Sequence, residues 1–389
     1  MTNLNLPTLT QTIPITTDPT WQADWAAAER ILCIRLDSLG DMVMTTPALK
    51  ALKADRPQRH LTLMTSVAGA TIAPYLPMID DVMVYDAPWL KATAPRQSSQ
   101  PEFEMVKELR DRQFDAAIIF TVYSQNPLPS AFMCYLADIP LRLAHCRENP
   151  YQLLTHTIRD PEPDQFTRHE VQRQLDLVAS IGAHAEGDTR LTVSTSPVAQ
   201  CRMALRLREL GLTSDRPWIV IHPGATAPSR RYCPEGFAEV GRSLQEQGMA
   251  IVFTGNAAER ELVASIQQQM QAPSISLAGQ LDVADLIALL ESAPLLLSNN
   301  TGPVHLAAAL GTPVVDLYAL TNLQHTPWQV PQRVLFHDVP CRVCYRSICP
   351  KGHHHCLERV TPDQVVTAIQ DLLTETSNTP VLAASPPTH

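Results

Sequence analysis

At 389 residues with a formal net charge of −9, the chain is too long for one ordinary domain and too acidic for a general nucleic-acid binder, although a local basic pocket is compatible with that charge. Hydrophobic residues make up 45% of it, and no apolar run approaches the roughly 18 residues of a membrane span. The first twenty residues lack a basic patch followed by an apolar block, so the expectation is a cytoplasmic protein without a secretory signal.

Residues 1–29 read as a tail, disordered over 1–20, with a short lead-in helix at 21–29. A first strand is predicted at 31–36, a turn at 37–40 and a helix to about 54. Strand 60–65, helix 67–75, strand 82–85, a loop at 91–101, helix 102–112 and strand 114–120 follow. This repeated βαβα order is that of a doubly wound parallel sheet. From 141 to 166 the pattern breaks up around Pro150, Pro161 and Pro163, and a helix at 169–181 comes next.

The series restarts with strand 218–222, then helix 234–247, strand 250–254, helix 257–270, strand 274–277 and helix 283–291. The stretch 294–317, PLLLSNNTGPVHLAAALGTPVVDL, reads as a strand, a polar elbow at 298–302, one compact helix from Pro303 and a second strand. An amphipathic helix spans 361–373, and 376–389 reads as disordered. The expected division is a first α/β half at 30–200, a second at 201–358 and a closing helix at 359–375. Ligands of such sheets sit beyond the strand carboxyl ends, so the expected site is the cleft between the halves.

Three constellations carry chemistry. The turn RLDSLGDMVMTT places Asp37, Ser38 and Asp41 at a strand-to-helix junction. Asp41 suits an ordinary helix cap, and equally a general base for an attacking hydroxyl; Asp37 is the weaker candidate. The loop HPGATAPSRRYCPE brings Gly224, Thr226, Ser229, Arg230 and Arg231 to the start of a helix, where paired arginines are either solvated or clamp a diphosphate. The elbow offers Asn300, Thr301, Gly302 and His305 at a helix amino end, where Thr301 either caps the helix or joins free backbone amides in holding a phosphate. Both loops leave the same edge of one sheet, which points to one phosphorylated ligand.

The third constellation is Cys341, Cys344, Cys349 and Cys356, with His353, His354 and His355 among them. Four thiolates in one short loop are a candidate structural zinc set, against reduced thiols or a disulfide. The other five cysteines (Cys33, Cys134, Cys146, Cys201 and Cys233) are scattered, as reduced residues of a cytosolic protein are.

Together, RLDSLGDMVMTTPALKAL, HPGATAPSRRYCPEGFAEV, SNNTGPVHLAAALGTP and the Cys-rich loop resemble glycosyltransferase family 9, the bacterial heptosyltransferase-like enzymes of lipopolysaccharide core assembly. The resemblance covers about 31–373. It implies a GT-B fold: two Rossmann-like halves, the acceptor on the first, the nucleotide-sugar donor on the second, and a last helix crossing back. It implies an inverting transfer with Asp41 as base, Arg231 and Thr226 on the diphosphate, Ser229 beside them, and Asn300, Thr301, Gly302 and His305 at the donor elbow. Glu259 falls on the acid that meets the donor's nucleoside. No cofactor is required on this reading, a structural zinc apart.

Two positions depart from the family pattern. Arg231 stands where lysine is usual, and Asn300 replaces an acid, which leaves the transferred sugar open. The implied partners are a nucleotide-diphosphate sugar such as ADP-heptose and a glycan or lipid-linked acceptor, the latter drawing the chain to the inner membrane's cytoplasmic face. An epimerase using His222, or a non-catalytic sugar-nucleotide-binding relative, is the alternative.

Overall fold

The computed structural model describes residues 19–91, 93–185, 187–212 and 217–377. The disorder expected at 1–18 and 378–389 lies outside the described residues, whereas 19–20 and 376–377 are helical. The chain divides into two compact units: one up to Thr195 together with Leu323–Trp328, the other comprising Ser196–Asn322 and Gln329 onward.

The first unit runs α1 (Pro19–Ala26), β1 (Arg30–Arg35), α2 (Leu39–Asp55), β2 (His60–Thr65), α3 (Val67–Ala70), β3 (Asp81–Val84), α4 (Gln100–Asp111), β4 (Ala116–Ile119), α5 (Leu128–Leu136), β5 (Leu141–Cys146), β6 (His156–Arg159) and α6 (Glu170–Ala179). Its strands form one six-stranded sheet in the order β3-β2-β1-β4-β5-β6. Every neighbouring pair is parallel. β1 is buried from Ile31 to Arg35, as a strand covered by helices on both faces must be, and that is why it reads as a nearly unbroken apolar run.

The segment expected to break up at 141–166 instead supplies β5 and β6, and α5 precedes them. β5, LRLAHC, was obscured by Arg142 and His145. Both are buried, and Arg142 is tolerated because its Nε and Nη2 donate to the carbonyls of Leu153 and Gln152, each at 2.8 Å.

The second unit runs α7 (Pro197–Glu209), β7 (Trp218–His222), α8 (Pro234–Glu246), β8 (Ala250–Phe253), α9 (Arg260–Met270), β9 (Ile275–Ser276), α10 (Val283–Ser292), β10 (Leu296–Asn299), α11 (Gly302–Leu310), β11 (Val314–Leu317), β12 (Gln332–Leu335), α12 (His355–Glu358) and α13 (Pro362–Ser377). Its sheet, in the order β12-β11-β10-β7-β8-β9, repeats the topology of the first. Gly311 ends α11 at φ 78°, a left-handed conformation that glycine takes without strain.

The apolar stripe of α13, Val365, Ile369 and Leu372, joins Phe237, Val315 and Leu317 in the core of the second unit, and Leu323–Trp328 groups with the first.

In each sheet the order reverses between two strands whose connections run to opposite sides: β1 and β4 in the first unit, β7 and β10 in the second. Such a switch point opens a crevice at the strand carboxyl ends, and the candidate residues gather at both.

Candidate active site

In the first unit, β1 ends in Arg35 and the chain turns through Asp37 and Ser38 into α2. Ser38 holds the N-cap position, and its backbone N and Oγ donate to Asp41 Oδ2 at 3.2 and 2.7 Å. Asp41 therefore does perform a cap's work, but through one oxygen. The other, Oδ1, lies 3.4 Å from Arg35 Nη2, and the side chain keeps 19% of its surface exposed.

Arg35 is wholly buried and meets three carboxylates. Its Nε is 2.9 Å from Asp37 Oδ2, and its Nη2 is 2.9 Å from Oε1 of Glu170, itself fully buried at the start of α6. Burial pushes the Asp37 and Glu170 carboxyls upward, and the Arg35 charge opposes it. Gln125, from the loop after β4, donates its side-chain amide to Asp37 Oδ1, closing the switch point between β1 and β4. Arg35, Gln125 and Glu170 were not foreseen. Glu170 is 135 positions from Arg35 in the chain, and no local spacing links them.

In the second unit, the loop after β7 and the elbow after β10 leave neighbouring parallel strands. Asn299, also unforeseen, ties them together: its Nδ2 donates to the Pro223 carbonyl at 2.7 Å, and its Oδ1 accepts from the Tyr232 amide at 2.9 Å. The two ends of the 223–232 loop are thus fixed to the elbow, while Thr226 and Arg231 between them are exposed. Arg231 Nε donates to the Ala225 carbonyl at 2.7 Å, which shapes the loop.

Ser229 is placed differently from expectation. It is buried, its hydroxyl donates to the Arg346 carbonyl at 2.7 Å, and its amide donates to Ser347 at 3.0 Å. It braces the loop against the Cys-rich segment and has no proton left for a ligand.

Thr301 occupies the N-cap position of α11, yet its hydroxyl makes no cap hydrogen bond. The helix begins at Gly302, one residue before the predicted start, and His305 is buried in its first turns. Asn300 is buried too, and its Nδ2 donates to Asp316 Oδ2 at 2.9 Å. Asp316, in the middle of β11, is fully buried, and desolvation pushes its carboxyl up to about 8. The acid missing from the elbow thus has a counterpart one strand away. Glu259 lies under the loop at Gly224: its Oε2 accepts from the Asn256 amide at 2.8 Å and lies 4.0 Å from His222 Nε2. Burial holds His222 below its ordinary value, and Nδ1 shares a hydrogen bond with Thr254 Oγ1 at 3.1 Å.

Cys341, Cys344, Cys349 and Cys356 line one small pocket with Ser229 and His353. They do not fit the zinc reading as placed. Among the described residues no group of three Cys, His, Asp or Glu side chains is arranged to hold a metal ion, and His353 Nε2 is 3.7 Å from Cys341 Sγ. All four are free thiols. Through Ser229 the segment's role here is to support the 223–232 loop.

The profile of Glycosyltransferase family 9 (heptosyltransferase) matches residues 103–355. Lipopolysaccharide heptosyltransferase 2 of Salmonella typhimurium is 25% identical over 355 residues, covering 89% of this chain and 99% of that protein. A glycosyl transferase family 9 structure from Veillonella parvula superposes with a TM-score of 0.74 at 23% identity, over 89% of this chain and 97% of its own. The structure of E. coli ADP-heptose lps heptosyltransferase II gives 0.69 at 23%, over 90% and 99%. These structural likenesses show the fold, two Rossmann-like α/β units of the GT-B class.

Proposed function

The chain belongs to glycosyltransferase family 9, and from that premise we propose that it transfers heptose or a related sugar from a nucleotide-diphosphate sugar of the ADP-heptose kind to a lipopolysaccharide acceptor, with inversion at the anomeric carbon. The observation that carries this reading is the partly exposed carboxylate of Asp41 at the turn after β1. One oxygen is fixed by Ser38, the other stands beside a buried arginine, and part of the side chain is open.

Asp41 takes the proton of the acceptor hydroxyl as that oxygen attacks the anomeric carbon, and the bond from that carbon to the diphosphate breaks. On the second unit, Thr226, Arg231 and the amides at the start of α11 meet the charge that develops on the departing nucleoside diphosphate. Asn299 and Ser229 hold the loop that carries the first two. Glu259, fixed by the Asn256 amide, is the group that receives the nucleoside. Asn300, held by Asp316, takes the place of the elbow acid and contacts the sugar's hydroxyls.

Among the described residues no helix is long and apolar enough to cross a membrane. A lipid-linked acceptor would bring the chain to the cytoplasmic face of the inner membrane. The test is a transfer assay with ADP-heptose and a lipopolysaccharide inner-core acceptor. Asp41→Asn should lower turnover by a factor of about 10² or more with folding intact. Near-normal turnover in that variant would remove Asp41 from the base role.

A further inference from the structure

α6 opens with a carboxylate that the transfer reaction described above does not use. Glu170 is fully buried. Its Oε1 accepts from Gln174 Nε2 at 2.6 Å and lies 2.9 Å from Arg35 Nη2, while Oε2 has no hydrogen-bond partner among the described residues. A buried carboxylate with one bare oxygen is a poorer packing element than an apolar side chain of the same volume, so packing alone does not account for a glutamate here.

The backbone around Glu170 is firmly fixed. Its amide donates to the Gln324 carbonyl at 3.0 Å. His169, the residue before it, caps α6 through Nδ1, which accepts from the Val171 amide at 3.2 Å, and its Nε2 donates to the Thr326 carbonyl at 2.9 Å. The segment Leu323–Trp328, which groups with the first unit, thus anchors the start of α6. Arg173, one turn further along α6, is engaged by other acids: its Nη1 lies 2.9 Å from Asp160 and 2.7 Å from Glu162. The ion pair of Glu170 is with Arg35.

Three carboxylates share that guanidinium, and they share it unequally. Asp37 and Glu170 approach it to 2.9 Å, Asp41 only to 3.4 Å. Glu170 and Asp41 meet the same nitrogen, Nη2, so a firm hold by the first keeps the contact of the second loose. The difference matters for a base. A carboxylate clamped by arginine takes a proton less readily and is fixed in direction, whereas a general base must accept a proton and aim an oxygen at the hydroxyl that gives it.

We propose that Glu170 is a positioning residue for the transfer: by holding Arg35 toward α6 it keeps Asp41 beside the guanidinium without letting the two close into a tight pair, so that Asp41 is oriented and still basic. The proposal rests on the reading of Asp41 as the base and adds the group that sets its strength.

The test is steady-state kinetics of Glu170→Gln with ADP-heptose and a lipopolysaccharide inner-core acceptor. The amide keeps an acceptor for Gln174 and Arg35 and removes only the charge. Arg35 then closes on Asp41, and kcat should fall about tenfold, part of the roughly 10²–10⁴ that a general base supplies, with both KM values unchanged. In an Asp41→Asn background the same substitution should change the residual turnover by less than about twofold, because Glu170 acts through that carboxylate. If Glu170→Gln does not fold, Glu170→Asp, which keeps the charge and draws it back from Arg35, should show a smaller loss of kcat, again absent in the Asp41→Asn background. Wild-type kcat in the Glu170 variant, or equal losses in the two backgrounds as a merely structural glutamate would give, overturns the proposal and leaves Asp41 as the base. Near-normal turnover in Asp41→Asn alone overturns the base reading and this proposal with it.

Discussion

A side chain on Gly224 would collide with Glu259: a Cβ added there would lie 2.0 Å from Glu259 Oε1 and 2.3 Å from its carboxyl carbon. The loop after β7 passes directly over the carboxylate that holds the Asn256 amide, and only glycine permits that approach. The constraint is one of space, not of backbone angle.

Gly224→Ala is therefore expected to push Glu259 off the Asn256 amide. ADP affinity should fall about tenfold, roughly 1.4 kcal/mol, with a modest drop in Tm. Calorimetry with ADP checks it. An alanine variant that binds ADP as tightly as wild type would mean that Glu259 does not touch the nucleotide.

Asn299→Ala leaves the Tyr232 amide and the Pro223 carbonyl buried without partners. At roughly 1–3 kcal/mol for each orphaned group, the second unit should lose a few kcal/mol of stability. Asn299→Asp keeps the acceptor for Tyr232 and loses the donor to Pro223, so it should fall between the two. Thermal unfolding ranks the three proteins, and a different order would show that the loop is held elsewhere.

Arg35→Met removes the counter-charge from Asp37, Asp41 and Glu170 together. Stranding buried charges in this way costs on the order of 3–5 kcal/mol. The cost depends on pH, with a definite sign. The Asp37 and Glu170 carboxyls are raised in the folded protein, so the fold favours their protonated forms. Stability from such groups is present below the unfolded value near pH 4 and is lost as pH rises through the folded value. The deficit of Arg35→Met relative to wild type should thus be small near pH 4.5 and largest near pH 8. Denaturation at both values measures it.

Asp316 gives a second pH effect by the same linkage. With its carboxyl at about 8 in the folded protein, its contribution to stability declines as pH rises from about 4 to 8, by at most about 1.4 kcal/mol per pH unit. Asp316→Asn keeps an acceptor for Asn300 and carries no proton to lose. Its Tm should be flatter than wild type between pH 5 and 8. An identical slope would assign the dependence to other groups.

Much of this protein could be read from local pattern. β1, β2, β7 and β8 are short, mostly apolar runs, the usual appearance of a strand buried on both faces. The turn holding Asp41, the loop from Gly224 to Arg231 and the elbow at Thr301 were legible for a related reason. Each joins such a strand to a helix, and chain order alone puts that junction at the strand's carboxyl end. Where the local pattern was mixed, the reading failed: β5 was missed because Arg142 and His145 are satisfied by carbonyls that no neighbouring residue announces.

Only the tertiary structure decided what each candidate is free to do. Ser229 was a ligand candidate and its hydroxyl lies on the Arg346 carbonyl; Thr301 stood between a cap and a phosphate contact, and its hydroxyl makes no cap bond. Asn299, Glu170 and Gln125 act through partners 67 to 135 positions away. The reason is physical. A sequence determines its periodicities and its turns within a few residues, whereas the partner of a buried polar group is chosen by which strands lie side by side, and that is settled only when the sheets assemble.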